Sequence, residues 1–76
     1  MEFCVFTHAQ ARANNVALDT DADPNLAYKD RFLICCKGEK QRGKWRGLAT
    51  SQLQSDAEWI CKRMAIAQRF DPGSTP

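Results

Sequence analysis

Histidine is almost missing from this chain: His8 is the only one among 76 residues. Acid–base or Cys–His chemistry would have to pass through it. On a strand continuing past Thr7, Cys4 and His8 would share a face yet stand too far apart for a direct proton handoff. Glycine-rich phosphate loops are missing as well, because Gly38, Gly43 and Gly47 do not follow nucleotide-binding spacings. No apolar run approaches the ~20 residues that cross a bilayer. The start, MEFCVFTH, has an acid at position 2 and only a short apolar run, unlike a secretory signal. These absences lead us to expect a non-enzymatic, cytoplasmic protein.

The four cysteines, Cys4, Cys35, Cys36 and Cys61, include no C-x-x-C spacing. The adjacent pair Cys35–Cys36 would point to opposite faces of a strand, which suits neither a zinc knuckle nor a disulfide framework. All four sit in apolar runs and are expected as free, buried thiols, with no metal and no cofactor. A chain of this length buries only about 60% of the surface its unfolded form exposes. We therefore expect one small α+β domain over residues 1–71 and a disordered tail, PGSTP, over 72–76.

What the chain does have is an uneven distribution of charge. Its net +2 conceals a basic stretch, KGEKQRGKWR, in which Lys37, Lys40, Arg42, Lys44 and Arg46 oppose only Glu39. An acidic stretch, DTDADPNLAYKD, covers residues 19–30. Its carboxylates at Asp19, Asp21, Asp23 and Asp30 follow the order of a calcium loop. Pro24 stands where that loop needs glycine, however, and Asp30 replaces the bidentate glutamate. A solvated acidic loop turning at Asp23-Pro24-Asn25 is the expectation.

In chain order, Glu2–Thr7 reads as a strand, and its unbroken apolar run predicts cover on both faces. HAQARANNVAL, residues 8–18, alternates alanine with polar residues and is read as a continuing strand that turns at Asn14-Asn15, with a short helix as the alternative. Residues 28–49 read as a β-hairpin. Phe32, Ile34 and Cys36 fall on one face, Leu33 and Cys35 fall on the other, and five or six residues form the loop. Trp45, pointing away from Lys44 and Arg46, is expected to anchor the ribbon to the helix. Gly47 inside the return strand suggests a bulge or a close backbone approach.

A helix is predicted over about 51–70, with capping boxes available at Ser51/Gln54 and Ser55/Glu58 and a stop before Asp71-Pro72-Gly73. Leu53, Ala57, Ile60, Met64 and Ala67 form the face expected against the sheet. Trp59, Ile66 and Phe70 form a second apolar stripe that a two-layer domain has no use for. Either the amino-terminal segment wraps over it, or it serves a homodimer or a partner.

The fold class is accordingly α+β, a small antiparallel sheet of the amino-terminal strand and the hairpin packed on one carboxy-terminal helix. This order resembles, in architecture alone, small DNA-binding domains in which a three-stranded sheet packs on one helix. Two functions fit. The first is a protein-binding module, an inhibitor or adaptor of the kind mobile genetic elements encode, docking the basic hairpin on an acidic partner surface. The second is a regulator contacting DNA or RNA phosphates through Lys37, Lys40, Arg42, Lys44 and Arg46. The acidic stretch and the small net charge favour the first.

Overall fold

The structure, a computed structural model, describes residues 2–38 and 43–70, with the backbone alone at 68–70. The order is β1 (Glu2–Thr7), α1 (His8–Ala13), a 3-10 turn (Pro24–Ala27), β2 (Phe32–Lys37), β3 (Trp45–Ser51) and α2 (Gln54–Phe70). The strands form one antiparallel sheet in the order β1-β2-β3, so the fold is the α+β arrangement expected. The expected tail at 72–76 lies outside the described residues.

β2 lies in the middle, and Leu33, Ile34, Cys35 and Cys36 are all buried. A strand apolar on both faces needs a layer on each side. Ala57 of α2 is fully buried, and Ile60, Cys61 and Met64 beside it are half-buried. Phe3 and Val5 line a cleft with Cys61 and Ala65. By register, Phe3 opposes Cys36 and Val5 opposes Ile34, so these residues form the α2 side of the sheet. On the other side, Leu33 and Cys35 form a core cluster with Ala11 and Leu26, into which Phe6, Val16, Leu18 and Trp45 pack.

That second layer corrects the two-layer expectation, and with it the reading of residues 8–18 as strand. His8–Ala13 is helical because Thr7 and Gln10 make a reciprocal capping box. The Gln10 N–H donates to Thr7 Oγ1 at 3.1 Å, and the Thr7 N–H donates to Gln10 Oε1 at 2.9 Å. The turn expected at the asparagine pair is present. Asn15 has φ 53°, and the N–H groups of Asn15 and Val16 donate back to Arg12 and Ala11, a Schellman closure.

The chain then runs along the outer edge of β3. The Ala17 N–H donates to the Trp45 carbonyl at 3.0 Å, and the Gly47 N–H donates to the Ala17 carbonyl at 2.9 Å. Gly47 makes room for this. A Cβ there would lie 3.1 Å from Leu18 Cδ2 and 3.3 Å from Leu26 Cδ2, and the β2–β3 register shifts between Ile34 and Cys35. Both features expected of Gly47, a bulge and a close approach, are present.

Other boundaries move. The hairpin strands are Phe32–Lys37 and Trp45–Ser51 rather than 28–49, and a longer connection, 38–44, joins them. α2 starts at Gln54, not 51. Ser51 ends β3 and its Oγ accepts from the Leu53 N–H at 3.4 Å, while Ser55 is already helical, so neither expected capping box starts this helix. Leu53 precedes the helix and is 59% exposed, and Ala67 is also exposed, so the buried face is Ala57, Ile60, Cys61 and Met64 instead. β1, expected in a protected place, is an edge strand with half-buried side chains from Phe3 to Phe6.

Replacing Gly47 by valine should destabilise the domain by about 1–3 kcal/mol, because branched carbons must displace Leu18 and Leu26. The expected result in urea is a lower midpoint with an unchanged slope; an unaltered midpoint would show that the 17–47 contact is loose.

Candidate functional site

The basic hairpin and the outer face of α2 carry the residues singled out from sequence, and the structure divides them. Lys37 is half-buried, with its Nζ 5.5 Å from the centre of the Trp45 ring. Register pairs Lys37 with Trp45 and Arg46 with Cys36. Lys37 therefore stands on the α1 side of the sheet and Arg46 on the α2 side, where Arg46 is exposed. Lys44, just before β3, is also exposed. Lys40 and Arg42 lie outside the described residues. The hairpin base is closed by the Gly43 N–H donating to the Gly38 carbonyl at 3.2 Å, with Gly43 at φ 75°.

Trp45 does not anchor the ribbon to α2. Its ring meets Phe6 edge-on at 5.1 Å, in the cluster on the opposite face of the sheet. Sequence alternation gave its direction relative to Lys44 and Arg46, but it could not reveal a second layer for the ring to enter. With Phe6 packed edge-on against it and Lys37 over the ring, Trp45 is not a free platform for an unpaired base.

The second stripe of α2 is open. Trp59 is 62% exposed and Ile66 46% exposed. At 100° per residue they lie roughly opposite Ala57, which faces the sheet. The amino-terminal segment, one candidate to cover them, packs instead as α1 and the 14–28 stretch on the far side of the sheet. Beside the stripe runs an open groove of about 530 Å³, lined by Trp59, Ile60, Arg63, Met64, Ile66 and Ala67. The Arg63 guanidinium carbon lies 5.2 Å from the Trp59 ring centre, so a cation stacks on the exposed aromatic. Phe70 continues the helix, its side chain outside the described residues.

The acidic stretch is a structural cap. Asp19 accepts from the Ala22 N–H at 3.1 Å, and Asp23 accepts from the Asn25 N–H at 3.0 Å, starting the 3-10 turn at Pro24. That turn drives Leu26, 1% exposed, into the core beside Leu33 and Cys35. Leu26 was the residue missed in reading this stretch as solvated; its only signal was one large aliphatic side chain among the aspartates.

The cysteines are free thiols, with Cys35 and Cys36 buried and Cys4 and Cys61 half-buried. Burial, reinforced by Cys4, Cys36 and Cys61 nearby, pushes the Cys35 thiol up to about 12 from 9.0. Burial and then Cys4 raise Cys61 as well. His8, half-buried, opens α1 rather than continuing β1.

Comparison with protein-family models, with curated proteins and with solved structures gave no match.

The raised thiol makes a pH prediction. The fold holds Cys35 neutral, so its contribution is whole below pH 9 and is lost as pH rises from 9 towards 12, where the unfolded thiol ionises and the folded one does not. Stability from urea titrations should fall across that window, and less steeply in Cys35→Ala. Equal slopes in the two proteins would show that this thiol is not held neutral.

Proposed function

We propose that this chain is a small non-enzymatic protein-binding module that docks the outer face of α2, together with the basic base of the hairpin, on an acidic partner surface. The observation that carries the reading is Trp59, 62% exposed on the side of α2 turned away from the sheet, with Ile66 one turn pair further on and Arg63 stacked on its ring. Exposed aromatic and arginine side chains around an apolar stripe make up the composition of interface hot spots. Arg46 adds charge on the same side of the sheet as α2, and Lys44 flanks it.

The placement of Lys37 and Arg46 on opposite faces of the sheet supports a protein partner over nucleic acid. A phosphate backbone is best met by one continuous basic strip, and here Lys37 is turned to the α1 side, over Trp45. The module fits an adaptor or inhibitor, since what it offers is a surface.

The test is capture by the immobilised chain from lysate of the source cells, before and after nuclease treatment. Retention of a protein that survives nuclease is expected, with loss of about 2 kcal/mol or more of binding in Trp59→Ala and in Ile66→Asp. Capture abolished by nuclease, and by Lys44→Ala with Arg46→Ala but not by the helix variants, would assign the chain to nucleic acid instead. Should Ile66→Asp turn a wild-type dimer into a monomer, the stripe would be the homodimer contact.

A further inference from the structure

The two edges of the sheet are treated differently. β3 is shielded by Ala17, bonded to Trp45 and Gly47 along its outer edge, and its register is broken by a bulge. β1 has neither device. Its six residues, EFCVFT, pair with β2 in unbroken register and contain no proline, glycine or lysine, the features that keep exposed edges from pairing. Among the described residues its outer row of backbone groups has no strand partner.

Beside this edge lies a cleft of about 500 Å³ between β1 and α2, floored by Phe3, Val5, Cys61 and Ala65 and rimmed by Glu58 and Lys62. The backbone edge can pair with an extended chain, and the cleft next to it offers an apolar floor. The rim carries one charge of each sign, four residues apart on one helix.

We propose that a second copy of this chain occupies the edge, with β1 pairing antiparallel to β1 of its twin about a twofold axis. Such an axis makes the contact isologous, so each surface has to complement itself. The rim satisfies that condition, because inverting α2 brings Glu58 of each copy towards Lys62 of the other. Cys61 and Ala65 are small, which lets the two helices approach to roughly 8–10 Å over the join. Every register centred on a residue keeps Phe3 and Val5 of both copies on the α2 side, and the axis passes through Cys4 or Val5 because these flank the middle of β1 and pair the most residues. A continuous six-stranded sheet results, with both Trp59/Ile66 stripes pointing out from the same face. The dimer thus goes beyond the proposed binding surface and leaves it open.

Sedimentation equilibrium of the full chain tests this. A dimer is expected at about 100 μM. Glu58→Lys and Lys62→Glu should each weaken it about tenfold or more, and the two together should restore it. Glu58 and Lys62 are exposed, so these changes spare the core, and circular dichroism verifies that each variant is folded. Ile66→Asp should leave the dimer intact while removing partner capture, which separates failure of the dimer from failure of the binding surface. A monomeric wild type at that concentration, or a dimer that Ile66→Asp dissociates and the charge reversals do not, would overturn the proposal.

Discussion

Burial of β2 on both faces is the constraint from which the rest of this molecule follows. Leu33 and Cys35 point one way and Ile34 and Cys36 the other, and all four are buried. One helix cannot cover both sides of a sheet. The chain therefore supplies α2 for one face and uses α1, the run past Ala17 and the Leu26 turn for the other. Gly47 is where the second layer meets the sheet edge, and the aspartates hold the turn that delivers Leu26. Neither layer takes up Trp59, which faces away from both and is the most exposed of the large apolar side chains among the described residues.

The same constraint sorts the charges. Lys37, opposite Trp45, is drawn to the α1 side, where its Nζ stands over the ring. Arg46, one step along the opposing strand, comes out on the α2 side. Lys37 and Arg46, two ends of one basic stretch, thereby stand on opposite faces of the sheet. Strand alternation alone requires this, and it is why the proposed docking surface combines the hairpin base with α2.

Much of this was legible in the residues. The apolar pattern of 32–36 gives a strand with apolar residues on both faces, Asn14-Asn15 gives a turn, Gly47 gives a bulge or close approach, and the 3.6-residue period gives a helix over about 51–70 with its surplus stripe. The capping box at Thr7 and Gln10 was equally readable as T-x-x-Q, but alanine alternation over residues 9–13 competed with it and won. The second layer was hidden for a different reason. Leu26 and Leu18 are single aliphatic residues without periodicity, and only the fold shows that they converge on one side of β2. The helix start was misplaced because Ser51, a good cap by type, is taken into the last position of β3.

The outward placement of Trp59 can be measured directly, since Trp45 is the only other tryptophan. In Trp45→Phe, fluorescence reports Trp59 alone. We expect emission at the wavelength of tryptophan in water, with iodide and acrylamide quenching close to that of a free indole. Blue-shifted, quencher-protected emission from the purified chain would place Trp59 inside the molecule or inside its own dimer contact, and would contradict the account of a sheet covered on both faces and the open surface it leaves.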